Sequence, residues 1–171
     1  QGLRADAQGR EHPRRRGLLM LARPYEVDLR RMEAFSAVDL YAMLKLRVDV
    51  FVVEQECPYP ELDGNDADCL HLRLIADGEL IACARLWRPT PEHHPRIGRV
   101  AVSPGHRGKR LGEALMREAI EACEKLYPGE PIAISAQSHL QAFYGTLGFA
   151  ATSAEYVEDG IPHVDMERPA S

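Results

Sequence analysis

No apolar run in the 171 residues approaches the roughly 20 needed to cross a bilayer, so no membrane partner is expected and a soluble protein is. The four cysteines, Cys57, Cys69, Cys83 and Cys123, form no Cys-x-x-Cys and stand at no ligand-like spacing from histidine. Reduced, mostly buried thiols in a cytoplasmic protein are the expectation. The pair His93-His94 lies between Pro91 and Pro95 and reads as a solvated loop, so no metal is expected. No Gly-Lys-Ser/Thr follows four residues after a first glycine, which excludes a Walker loop. Gly-x-Gly-x-x-Gly is missing too, which excludes the dinucleotide fingerprint. Internal repeats and low-complexity tracts are likewise missing.

What is present is one domain's length, enough to bury a real core. Residues 1–19 differ from the rest, with Arg4, Arg10, Arg14, Arg15 and Arg16 against Asp6 and Glu11 and no initiating Met. They carry +3 of a net −5, leaving −8 on residues 20–171. Met20 reads as a true start, residues 1–19 as a basic and non-native extension, and 20–171 as the single domain. Arg14 to Arg16 form one short cluster without aromatics, too little to imply a nucleic-acid partner.

The chain is organised around Arg99-Val100-Ala101-Val102-Ser103-Pro104-Gly105-His106-Arg107-Gly108-Lys109-Arg110-Leu111-Gly112. An apolar run from Ile97 to Val102 reads as a strand that breaks at Ser-Pro-Gly. Leu111, Leu115, Ala119, Ala122 and Leu126 then recur at helical spacing, with Glu113, Arg117, Glu118, Glu121 and Lys125 on the other face. A strand, a basic glycine turn and a helix start present free backbone N–H groups and a positive dipole end to an anion. Gly108 and Gly112 permit close approach, while Arg107, Lys109 and Arg110 add charge suited to phosphates. These residues predict a diphosphate site.

Earlier in the chain, Tyr25 to Arg31 alternates as a strand, with Tyr25, Val27 and Leu29 on one side. Ser36 caps a helix with Asp39 as its partner, and Leu40, Met43, Leu44, Val48 and Phe51 form the expected buried stripe. An acidic, proline-kinked loop follows to Asp68, in which Glu54, Glu61, Asp63 and Asp66 are the candidates for holding a cationic amine. Two strands joined at Asp77-Gly78 come next, the second running Glu79 to Trp87. After the central helix, Pro131 to Ala136 reads as a short buried strand, Ser138 as the cap of a helix through Tyr144 that ends by Gly148, and Val164-Asp165-Met166 as a last strand beyond an edge strand at Phe149.

Arg107-Gly108-Lys109-Arg110-Leu111-Gly112 resembles the Arg/Gln-x-x-Gly-x-Gly/Ala pyrophosphate loop of the GCN5-related N-acetyltransferases (GNATs), with Arg110 where that pattern carries glycine. Arg47 to Tyr59 with Asp63-Gly64-Asn65-Asp66, and Glu158 to Val164, resemble the ElaA-like branch of the same superfamily. Gln137, followed by Phe143-Tyr144-Gly145-Thr146-Leu147-Gly148-Phe149, resembles the motif after the fifth strand. The likeness spans roughly residues 36–168.

The resemblance implies an α/β fold: a mixed, twisted sheet of about seven strands with helices on both faces and two central parallel strands that splay apart. It implies acetyl transfer from acetyl-CoA to an amine through a tetrahedral intermediate, and a homodimer. Val100, Ala101 and Val102, the Arg107–Gly112 loop, Gln137 and Tyr144 would hold the coenzyme. A backbone N–H on the strand, Val102 included, would polarise the thioester, one such donor being worth about 3–4 kcal/mol. Tyr144 would protonate the departing thiolate, an acid commonly worth about 10²–10⁴-fold. For the proton of the amine, Glu54, Glu61, Asp63, His71 and His139 all stand open. Two other functions fit parts of the chain. Phe51, Asp63 and Cys83-Ala84-Arg85-Leu86 with Pro89-Thr90 resemble an acyl-homoserine lactone synthase, and Arg110 at the glycine position suits a non-catalytic acyl-CoA-binding module.

Overall fold

The computed structural model describes residues 23–171, so the expectations for residues 1–19 and Met20 lie outside the described residues. Eight strands form one sheet in the order β1-β2-β3-β4-β5-β8-β6, with β7 paired to β8. Strands β1 (Glu26–Arg31), β2 (Leu70–Ala76), β3 (Glu79–Trp87) and β4 (Arg96–Val102) make an antiparallel run. Strand β5 (Ile132–Gln137) lies parallel to β4, then pairs antiparallel with β8 (Ile161–Arg168). Asp77 and Gly78 take positive φ of 51° and 79° between β2 and β3, the backbone that a two-residue Asp-Gly hairpin requires.

Helix α1 (Ala37–Val48) starts where Ser36 accepts a 3.1 Å hydrogen bond from the Asp39 N–H, as the Ser/Asp spacing predicts. Its buried residues are Met43, Leu46 and Arg47, whereas Leu40, Leu44, Val48 and Phe51 are half-buried. Met43, Leu46, Arg47 and Val50 keep regular helical spacing, and the buried line passes through Arg47 because that residue has buried acidic partners; a π-helical turn over Asp49–Glu54 follows. Helix α2 (Leu111–Leu126) buries Leu111, Leu115, Met116, Ala119 and Cys123 against the sheet. Leu126, expected in that stripe, is exposed, since the helix ends at Tyr127 before Gly129 at φ 81°.

The larger core lies on the α2 side, from Leu72 and Leu86 through Ile134 to Val164 and Met166. A smaller core under α1 joins Met43, Leu46 and Val50 to Cys83 and Ala101. Helices therefore cover both faces.

The second half departs from expectation locally. Ser138 makes no side-chain cap; a 3₁₀ turn (Ser138–Leu140) leads into a short α3 (Gln141–Gly145) with no capping side chain. The strand after Phe149 is only β6 (Ala150–Ala151). Strand β7 (Tyr156–Glu158) forms an unforeseen hairpin with β8 through Asp159 and Gly160, at φ 49° and 78°.

Candidate active site

The parallel strands β4 and β5 share a single register pair, Arg96 with Ala133. Beyond it they diverge, which leaves the β5-facing edge of β4 without a strand partner. A bulge deepens the opening: Cys83 opposes Ala101 and Arg85 opposes Gly98, so Arg99 and Val100 together face Ala84. Arg99 sits at φ 52°, a left-handed backbone rare for arginine and held here by the surrounding strand. Into this wedge opens a cavity of about 990 Å³.

One wall of the cavity is the turn from β4 to α2. Gly108 has φ 80°, and Arg110 has φ 56° and ψ 27°, immediately before the helix. Arg110 thus takes the left-handed backbone that a glycine would adopt most cheaply. The first bond of the helix runs from the Ala114 N–H to the Arg110 carbonyl, 3.1 Å. The N–H groups of the first turn before it point out of the helix end, as at any N-terminus. Arg107 spans the opening, giving Glu54 two hydrogen bonds of 2.7 and 2.9 Å and donating from Nε to the Val102 carbonyl at 3.3 Å.

The opposite wall comes from β5, the turn after it and α3. Gln137 Nε2 donates to Gln55 Oε1 at 3.2 Å, which bridges β5 to the π-helical turn. Tyr144 is 8% exposed, packed edge-on to Phe143 and Phe149. Burial pushes its hydroxyl up to about 12, so it stays protonated at neutral pH.

Of the residues nominated from sequence, Val100, Ala101, Val102, Arg107, Gly108, Arg110, Leu111, Gly112, Gln137, Tyr144, Glu54, Asp63 and His139 line this one cavity. Lys109, Glu61 and Asp66 are not on its wall. The reason for Glu61 and Asp66 is charge pairing. Arg47 donates to Glu61 Oε1 and Asp66 Oδ1, both at 2.6 Å, and Arg85 reaches Asp66 Oδ1 at 3.0 Å and Asp63 Oδ2 at 2.6 Å. Arg99 lies 2.8 Å from Glu61 Oε2, and the Tyr59 hydroxyl donates to that same oxygen. Three carboxylates thus meet three guanidiniums, which cancels the expected anionic field at that end. Burial acts to raise the Asp66 carboxyl, but Arg47 and Arg85 outweigh it and hold it below the usual range. Asp63 is likewise held well below, by Arg85 and the Asn65 N–H against the opposing effect of burial. His71 is buried behind the wall with Nε2 2.9 Å from the Asp66 carbonyl, and burial lowers its pKa.

Sequence reasoning missed several wall residues: Gln55, Cys57, Tyr59, Arg99, Asp159 and His163. Cys57 Sγ contacts the Asp159 carbonyl at 3.3 Å, so the acidic loop is tied to the β7–β8 hairpin. The Asp-Gly pair at 159–160 was a signal for that hairpin.

A family model described as an acetyltransferase (GNAT) domain matches residues 43–169, and with it the whole wedge. The chain belongs to the GNAT acetyltransferase family, in its ElaA-like branch. Protein ElaA of Escherichia coli is 44% identical over 144 residues, covering 82% of this chain and 94% of ElaA. The ElaA crystal structure aligns with a TM-score of 0.78, at 40% identity over 84% of this chain and 99% of that one. An acyl-CoA N-acyltransferase from Pseudomonas aeruginosa aligns with a TM-score of 0.80, at 45% identity, over 84% and 99% of the two chains. A CoA-dependent acyl-homoserine lactone synthase shares the GNAT fold alone, with a TM-score of 0.71 at 15% identity over 86% and 84%. Among the described residues of this GNAT domain, no group of three or more metal-ligating side chains is found, and no helix is long and apolar enough to cross a membrane.

Proposed function

We propose that this protein is an N-acetyltransferase that moves the acetyl group of acetyl-CoA directly to an amine. The observation that carries the reading is Tyr144, a buried side chain on the wall of the same cavity as the Arg107–Gly112 turn, whose hydroxyl has no hydrogen-bond partner among the described residues. The turn offers helix-end N–H groups and Arg107 to a diphosphate. The unpaired edge of β4 at Val100–Val102 offers backbone N–H groups to the developing oxyanion. Tyr144, its pKa raised to about 12, donates a proton to the departing thiolate. Cys57, Cys69, Cys83 and Cys123 are free and buried, in keeping with a reducing compartment such as the cytoplasm.

The acyl-homoserine lactone synthase reading has the fold in its favour and nothing more. A non-catalytic acyl-CoA-binding module leaves the unpartnered phenol without a role. The test is release of free thiol from acetyl-CoA in the presence of spermidine, L-lysine or glycinamide, beside a titration of acetyl-CoA binding. Turnover with an amine supports the reading. Binding without transfer to any of them favours the binding module, and failure to bind removes both.

A further inference from the structure

None of the groups nominated from sequence is free and fixed to take the proton of the amine. Glu61 and His71 lie behind the wall, Glu54 and Asp63 are engaged by arginines, and His139 is exposed on the turn after β5 with no hydrogen bond to its ring among the described residues. His163 differs. Its Nδ1 lies 2.8 Å from the carbonyl oxygen of Ile161. A carbonyl only accepts, so Nδ1 carries the hydrogen and Nε2 keeps its lone pair in the neutral ring.

The ring is also fixed in place. It stacks on Tyr156 at 6.1 Å and 23°, and Tyr156 is itself held by Asp165 at 2.7 Å and Ser135 at 2.5 Å. The imidazole lines the cavity, and its side chain is 14% exposed. On β5 and β8, Ile132, Ile134, Ala136, Val164 and Met166 enter the α2-side core along with Tyr144. Gln137 and His163, which are cross-strand partners, alternate with them and so project from the other face of the sheet. Acid and base thereby come from opposite faces of the sheet, and both line the cavity.

Resting on the acetyl-transfer reading, we propose that His163 is the general base, with Nε2 as the accepting atom. The protonated amine gives one proton to Nε2, and the freed lone pair attacks the thioester carbon. A C–N bond forms, the C–S bond breaks as Tyr144 protonates the sulfur, and the second amine proton, lost from nitrogen to water, is regained from water by the Tyr144 phenolate. The imidazolium proton leaves to solvent beside Glu158, whose Oε2 lies 4.0 Å from Nε2. The other groups facing the ring are Tyr156 and Gln137, with Asp165 further along β8 held near Arg96 at 4.0 Å.

Long-range ¹⁵N–¹H spectra of the unmodified protein should show His163 as the Nδ1–H tautomer, and the Nε2–H tautomer overturns the assignment whatever the activity. His163→Gln should lower kcat/KM about 10²-fold in the thiol-release assay with spermidine, L-lysine or glycinamide, with acetyl-CoA affinity and melting temperature unchanged. It should also lose the acidic limb of the pH profile, and imidazole added to His163→Ala should restore part of the rate. A wild-type rate and pH profile in His163→Gln overturns the base alone. A wild-type protein that transfers to none of the three amines overturns the transfer reading, and the base with it.

Discussion

The guanidinium of Arg107 and the carboxylate of Glu54 share two hydrogen bonds, of 2.7 and 2.9 Å, between the turn that starts α2 and the π-helical turn that ends α1. A diphosphate seated on the turn would have to take Arg107 from Glu54, and would feel the repulsion of that carboxylate as well. Exposed pairs of this kind are worth about 0.2–1 kcal/mol. Glu54→Gln should therefore tighten acetyl-CoA binding by up to about fivefold at low salt, with the gain shrinking as salt rises. Calorimetric titration at two ionic strengths reads this directly, and weaker binding in the variant would contradict it.

Tyr144→Phe keeps the ring and its packing against Phe143 and Phe149 while removing the hydroxyl. Turnover with acetyl-CoA should fall at least about tenfold, at the low side of what a positioned acid gives, with acetyl-CoA affinity little changed. Since the phenol has its pKa raised to about 12, it imposes no alkaline limb on the rate below about pH 10. A variant as fast as wild type would take Tyr144 out of the chemistry.

Arg110 offers a stability comparison free of its side chain. Both Arg110→Gly and Arg110→Ala delete the guanidinium that pairs with Glu113 at the surface, and differ only in what they ask of a backbone at φ 56°. Left-handed backbone costs an ordinary residue about 1–2 kcal/mol, and glycine gives some of this back through its freer unfolded chain. The glycine variant should be the more stable by about 1 kcal/mol in denaturant unfolding.

Arg47 is the cation whose loss should be felt most. Arg47→Met would leave Glu61 and Asp66 buried with one guanidinium fewer, and removing one partner of a buried pair costs about 3–5 kcal/mol. A marked drop in melting temperature is expected at neutral pH. A melting temperature equal to wild type would mean that Arg85 and Arg99 suffice for both carboxylates.

The same network sets an acid limit. Asp63 and Asp66 have folded pKa values below their unfolded ones, so the stability they contribute is present above about pH 4 and is lost as pH falls through that value toward the folded pKa. Thermal melts should be flat near neutrality and decline below about pH 4. Asp66→Asn should melt lower at pH 7 and show a shallower decline in acid.

Local signals carried most of the fold into view. The spacing of Leu111, Leu115 and Ala119, the Ser36/Asp39 cap and the Asp77-Gly78 turn are decided by neighbours a few residues away, and each appears in the structure as expected. The wedge was legible through resemblance, because nothing in the Arg99–Val102 run announces a bulge. Glu61 and Asp66 were read as holding a cationic amine, because the cations that pair with them lie elsewhere in the sequence. Their burial depends on Arg47, 14 and 19 residues away on α1, and for Asp66 also on Arg85 of β3. His163 lay in a recognised string with no role attached; its tautomer comes from a carbonyl two residues back and its place from Gln137 across the sheet.

The lone rung between Arg96 and Ala133 has a mechanical meaning. Main-chain pairing runs from strand to strand through β1–β4 and again through β5–β8, yet the two blocks meet at one register pair like leaves on a pin. What keeps them together is the side-chain packing of α2, which touches β3 and β4, and of the core it shares with β5 and β8. Opening and narrowing of the gap between the leaves would therefore strain apolar packing near α2 while leaving both ladders whole.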